Sequence, residues 1–396
     1  MNTAETSSNK KHSILFLGFF FFVAFFAVLF FIFRTQDTAV SSPLEKIIKR
    51  EDLQPKKQEI RMAFVGDIMM HDEQRQAGFD SVSKTYSFDT FFEKIKDSFE
   101  GKDIVFANLE TPVAGETLRY SGYPMFNAPE ALLDALSEAH FSHLSLANNH
   151  ALDRRARGLK NTILAVKKHG FVGIGAQENA TDNRYSITEK NGISVGFLGY
   201  TYATNGLTLP EDKAYMLNYI NETKIKEDIA ELKQKNPDLI MVSLHFGDEY
   251  KRAANTSQIQ LVQSLCDAGA DVIIGSHPHV LEPTLFLNKT DGTKCFVTYS
   301  LGNFVSAMTV VYTDLGGILN LDVTKEKNHL YVTPSFTPTW VRQGRNTSGK
   351  QTFQILKLSD PITTLNKEQE QRLELYKNFV EKNIVKFEQN VPVLLK

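Results

Sequence analysis

Residues 267–283 read DAGADVIIGSHPHVLEP. The apolar run Val272–Ile274 follows a helix-closing Gly269 and ends in Gly275-Ser276-His277-Pro278-His279. Side chains two apart in extended chain point the same way, so His277 and His279 present two imidazoles to one side. Gly275 allows another backbone to come close. Four more apolar runs end in the same manner. Met62–Val65 leads to Gly66-Asp67, and Ile104–Ala107 to Asn108-Leu109-Glu110. Phe141–Ala147 leads to Asn148-Asn149-His150, and Leu239–Leu244 to His245. Each of these residues alone has an ordinary use as a turn, cap or surface group. Together they put a carboxylate, amide or imidazole at the carboxyl end of five candidate strands, the edge where open α/β sheets bind ligands.

Helical stretches separate the runs. Ala131–Ala139, Gly158–His169, Glu222–Lys235 and Gln258–Ala268 carry apolar residues at three- and four-residue steps, and Phe296–Tyr299 and Ile318–Val323 are later strands. Strands alternating with helices predict an α/β fold with helix-covered sheets. Carboxylate, amide oxygen and imidazole are ligands for Mn, Fe or Zn. Two such ions, bridged by a carboxylate, would clamp a phosphoryl group and activate a water.

The 396-residue chain carries 44 Lys and Arg against 46 Asp and Glu, a net charge of −2. That balance gives no sign of a nucleic-acid binder. Two cysteines, Cys266 and Cys295, exclude a four-cysteine zinc site and a disulfide framework. One disulfide between them stays open, but both lie in apolar runs and are expected as buried free thiols. Ten of the 29 phenylalanines fall in Ile14–Phe33, a stretch without a charge. A helix of that length spans about 30 Å, a bilayer core. Lys10 and Lys11 before it, against Arg34 alone after it, place residues 1–13 in the cytoplasm and the remainder outside. The expected organisation is therefore an anchor at 14–33, a polar linker at 34–59, the main domain at 60–340 and an extension at 341–396. The extension holds an amphipathic helix at 366–388, with Leu373, Tyr376, Val380, Ile384 and Phe387 along one stripe. A single-pass protein of the cell membrane with an extracellular main domain follows.

The motifs GDIMM (66–70), NLETP (108–112), ANNHALD (147–153), HFGDEY (245–250), the run at 267–283 and YSLGNF (299–304) together resemble the CapA family. These are bacterial proteins of poly-γ-glutamate capsule synthesis, similar in fold to calcineurin-like metallophosphatases. The resemblance covers about residues 60–330. It implies a four-layer αββα sandwich, here preceded by one transmembrane helix. It also implies Asp67 and His279 as ligands of a first metal, and Glu110 as the bridging carboxylate. Asn149, His245 and His277 would bind a second metal, and His150 would protonate a leaving group. Asp153, one turn after His150, is placed to orient its ring, which makes the two the candidate catalytic pair. Asn108, Asn148, Arg154, Arg155 and Asn303 are candidate substrate contacts, the arginines for a phosphate or polyanion.

Metallophosphatases begin with D-x-H; here the run is Asp67-Ile68-Met69. A thioether is a poor ligand for hard divalent ions, so the first site looks depleted, and one or two ions remain open. His71 is a candidate replacement, and Glu249 and Glu282 are candidates for the surrounding shell. Three readings follow. The chain is a capsule-assembly factor working through a metal cleft, with membrane proteins of capsule synthesis and an anionic polymer as partners. Alternatively it is a metal-dependent hydrolase of the cell envelope, or a non-catalytic polyanion-binding module.

Overall fold

The computed structural model describes residues 58–361 and 365–396. The anchor expected at 14–33 and nearly all of the linker lie outside the described residues. Among the described residues no helix is long and apolar enough to cross a membrane.

The chain first lays down β1 (Gln58–Ile68), β2 (Ile104–Leu109), β3 (His143–Ser145) and β4 (Val172–Ile174). It then builds a second sheet from β5 (Tyr185–Lys190), β6 (Ile193–Thr201), β7 (Leu239–His245), β8 (Val272–Ser276), β9 (Thr284–Asn288) and β10 (Lys294–Thr298). It returns to the first sheet with β11 (Asn303–Val305), β12 (Leu315–Glu326), β13 (His329–Arg345) and β14 (Gln351–Lys357). Two short strands finish the chain: β15 (Val385–Lys386) pairs with β9, and β16 (Val393–Leu394) with β13. The first sheet runs β14-β13-β12-β1-β2-β3-β4, with β11 also beside β1; the second runs β15-β9-β10-β8-β7-β6-β5. β1 to β4 are parallel, as are β6, β7, β8 and β10, so these strands open toward one end.

Alternation along each strand explains the layers. Met62, Phe64, Ile104 and Phe106 meet Phe197, Met241, Val272, Ile274 and Phe296 between the two sheets. The intervening Ala63, Val65, Val105 and Ala107 face outward, onto Leu132, Leu136, Ala165 and Val166 of the helices Ala131–Glu138 and Arg155–Lys168. On the other sheet Ile240, Val242, Leu244 and Ile273 face Ile225, Ile229, Val262 and Leu265 of the helices Glu222–Lys233 and Thr256–Ala268. The protein is an α/β fold with two facing sheets, each covered by helices.

Three differences from the sequence reading have physical causes. Cys266 and Cys295 are not free thiols: they form a disulfide, with Cα atoms 5.8 Å apart. The helix carrying Cys266 packs on the face of β10 that carries Cys295, which brings the sulfurs together within an apolar cluster. The amphipathic helix expected over 366–388 is α-helical only at Lys367–Phe379, then continues as a π turn at Val380–Ile384. Val385 leaves the helix to pair with Thr284 of β9, a tertiary bond that overrides the continuing apolar stripe. Finally, β13 runs unbroken through position 340, and Lys57–Lys396 is one compact unit.

Candidate metal centre

The parallel strands aim their carboxyl ends at one place. Asp67 ends β1 between Asn108 of β2 and Asn303 of β11, its register partners on either side. The backbone path there is tight. A Cβ on Gly275 would stand 1.9 Å from the Tyr299 carbonyl oxygen, so only glycine lets β8 pass. Beyond it His277 and His279 adopt φ of 103° and 58°. Non-glycine residues rarely take such values, and they concentrate at functional sites.

Eight expected residues come together, all nine-tenths or more buried. His245 Nε2 lies 3.0 Å from Asn149 Oδ1 and 3.5 Å from Glu110 Oε1. His279 donates from Nδ1 toward Asp67 Oδ2 at 3.2 Å and Asn303 Oδ1 at 3.0 Å. That turns Nε2, with its lone pair, toward Glu110 Oε1, 3.8 Å away. His150 Nδ1 is 2.8 Å from Asp153 Oδ2. Two sets of donor atoms lie within 4.8 Å of one another: Glu110, His245 and His277, and Asp67, Glu110 and His279. Glu110 belongs to both, as a bridging carboxylate requires.

The electrostatics suit a cation. Neither Glu110 oxygen has a hydrogen-bond partner, nor has His277 Nδ1, although all three atoms are buried. Buried polar atoms are almost always paired, so orphans clustered at one point call for an ion. Burial, then the charges of Asp67 and Glu249, push the Glu110 carboxyl well above its ordinary range. Burial and the neighbouring His279 lower His277 to about 4. Burial also holds His245 well below the ordinary imidazole value. Near neutral pH these two rings are uncharged and offer lone pairs, the form that ligates metal. For His279 burial works against the charge, but Asp67 outweighs it and the pKa rises.

The candidate substrate contacts are placed differently. Asn108 donates to Asp67 Oδ1 at 2.8 Å, Asn148 to the Leu109 carbonyl at 2.8 Å, and Asn303 to the Thr313 carbonyl at 2.9 Å. These amides are buried braces of the centre. Arg154 is spent on the Arg119 carbonyl and Ser121 Oγ, and Arg155 is exposed at the start of its helix. A cavity of about 530 Å³ opens over the centre, lined by Met69, His71, Asp72, Glu73, Tyr123, His150, Glu249, Tyr250, His279 and Met308. None of the five candidates lines it, and neither lysine nor arginine does.

Among the described residues His71 falls in no group of three donor atoms. Its backbone N–H and ring Nδ1 both face Gln74 Oε1, at 2.9 and 3.2 Å, as the cap of the helix Asp72–Gly78. Glu282 is held by Gln258 Nε2 at 3.0 Å. What sequence reasoning did not give a ligand's place is Glu249, which forms a third donor group with His277 and His279. Its only signal was a position four residues after His245.

Residues 61–308 match the family model described as bacterial capsule synthesis protein PGA_cap. The chain is 33% identical over 260 residues to the PGA biosynthesis protein CapA of Bacillus subtilis, covering 61% of this chain and 62% of that protein. It is 33% identical over 256 residues to the capsule biosynthesis protein CapA of Bacillus anthracis, covering 63% of this chain and 60% of the relative. The matched part thus spans less than two thirds of either relative's length. In backbone the chain is loosely similar to the NAD nucleotidase NadN of Haemophilus influenzae, with TM-score 0.48, 14% identity and coverage of 83% and 64% of the two chains. The family match takes in more than half of the chain, and this protein belongs to the PGA_cap family of bacterial capsule synthesis proteins.

Proposed function

We propose that the chain is a membrane-anchored factor of poly-γ-glutamate capsule synthesis, export or anchoring whose working part is the buried centre at the sheet ends. The family match and the capsule roles named for the two Bacillus relatives support the biological role. One observation carries the chemical part: the Glu110 carboxylate and His277 Nδ1, buried without partners among three histidines and a second carboxylate. Asp67, Glu110 and His279 would hold one divalent ion, Mn, Fe or Zn; Glu110, Asn149, His245 and His277 would hold another. Bound there, the ions supply Lewis acidity. Asp153 holds the His150 ring at the cavity wall, where Nε2 can pass a proton to a leaving group. The metallophosphatase kind of four-layer sandwich is part of this reading.

The exterior placement rests on the apolar stretch Ile14–Phe33 with its flanking lysines. The Cys266–Cys295 disulfide adds to it, because such bonds persist in oxidising compartments and are rare in the cytosol.

A second reading, a metal-dependent hydrolase of the envelope, is favoured by the His150–Asp153 pair beside the donor groups. A passive polyanion-binding module has less support. The cavity presents Asp72, Glu73 and Glu249 and neither lysine nor arginine, so a carboxylate polymer would be met there chiefly through metal.

Complementation tests the proposal. A poly-γ-glutamate-producing strain lacking its own family member receives this chain, or its His277→Ala or His150→Ala variant. Polymer restored by the native chain and lost with His277→Ala is expected. No polymer from the native chain rejects the capsule role. Full polymer from both variants rejects the centre as the working part, and loss with His150→Ala as well favours the hydrolase.

A further inference from the structure

We infer that Glu249 is a direct metal ligand, supplying from the loop after β7 the donor that Met69 cannot supply from the loop after β1. This inference rests on the metal-centre reading above.

The local backbone is built to deliver that carboxylate. Gly247, at φ 107°, turns the chain as it leaves β7, and Tyr250, at φ 64°, turns it again. Two bonds lace this segment to the histidine loop: Phe246 N–H to the Ser276 carbonyl at 3.0 Å, and Tyr250 N–H to the Pro278 carbonyl at 2.8 Å. Glu249 lies between these bonds. One donor atom each from Glu249, His277 and His279 consequently lies within 4.8 Å of the other two.

A second observation points to the same place. His277 is only 3% exposed, yet its Nδ1 has no partner. The Glu249 carboxylate and two imidazoles, one of them with an unpartnered ring nitrogen, form the mixed N/O set that first-row divalent ions take. Met69 lines the same cavity as Glu249 and His279. The depleted donor and the surplus one thus border one space, which makes the exchange a local one. Glu249 differs from the other donors in being exposed. A ligand on the cavity lip can leave the ion when a substrate oxygen arrives, whereas the buried donors keep their places.

The test is metal titration of the full-length chain, purified in detergent, stripped with chelator and reloaded with Mn²⁺. Bound ion is counted by elemental analysis, and coupling between ions is read by electron paramagnetic resonance. The native chain is expected to hold two ions. Glu249→Gln, an exposed substitution that leaves the core untouched, should keep one and bind the other at least 30-fold more weakly. Met69→His added to that variant should restore the second ion. If the native chain holds a single ion, its release by Glu249→Gln supports the assignment. Wild-type stoichiometry and affinity in Glu249→Gln overturn the assignment of Glu249 while leaving the centre standing. A native chain that holds no Mn²⁺ overturns the centre and this inference together.

Discussion

Asp153 Oδ2 stands 2.8 Å from His150 Nδ1 and also accepts the Phe126 N–H at 2.7 Å. The carboxylate therefore has a fixed position before it fixes the ring, and the Phe126 ring lies edge-on to His150 at 4.6 Å. If His150 moves a proton, Asp153 is a positioning residue for it. Asp153→Asn is expected to lower metal-dependent cleavage of a bis-aryl phosphodiester by about 100-fold, the lower end of the usual range for general acid–base catalysis. Bound metal should stay unchanged. Equal rates for the variant and the native chain would remove the pair from the chemistry.

His277→Ala should leave the chain folded and reduce bound divalent metal by at least one equivalent. The ring nitrogen it removes has no protein partner, so no hydrogen bond of the fold is lost with it. Circular dichroism and elemental analysis on one preparation give both readings, and undiminished metal would remove His277 from the ligand set.

The disulfide closes a loop between residues 29 apart. Chain-entropy reasoning gives a link of that span about 3.6 kcal/mol. Reduction should lower the stability measured by urea unfolding by roughly that amount. An unshifted midpoint in reductant would mean that the helix Thr256–Ala268 is already held fully by its packing and by its Asn255–Gln258 cap.

His143, the first residue of β3, carries a pH dependence of its own. Its nitrogens meet Ser142 Oγ and Thr188 Oγ1, both at 2.8 Å, and its ring packs on Phe197 at 4.8 Å. Burial, helped by the charge of Lys190, lowers its pKa to about 4. A depressed histidine stabilises the fold fully above its unfolded value near 6.5, and that contribution fades as pH falls toward 4. The loss is expected to total roughly 3 kcal/mol. His143→Gln should flatten the stability profile between pH 6.5 and 4, and an unchanged slope would assign the acid sensitivity elsewhere.

Much of this was readable from strand ends. Short apolar runs finishing in Asp67, Glu110, Asn149, His245 and the His277–His279 pair give both the parallel α/β order and the location of the centre. Parallel strands must all terminate at the same edge, so that part follows from the pattern itself. Glu249 was harder to place, since its position depends on two left-handed backbone turns and two backbone hydrogen bonds that no periodicity records. The inward-turned Asn108, Asn148 and Asn303 were equally hidden. An amide beside a strand end looks the same in sequence whether it meets a ligand or braces a carboxylate. The cysteines gave no sign of pairing, because the apolar surroundings that suit a free thiol suit a cystine as well.

The centre draws Asp67, Glu110 and Asn149 from the first sheet or its loops and His245, His277 and His279 from the second. Asp67 and His279 are 212 residues apart and meet only across the seam between the sheets. Contacts of such sequence separation form late and slowly when a chain folds. Each sheet brings three of the six donors, so the complete set exists only once one sheet has docked on the other. Until then Glu110 has water around it, and the upward push that burial gives its carboxyl belongs to the docked state alone.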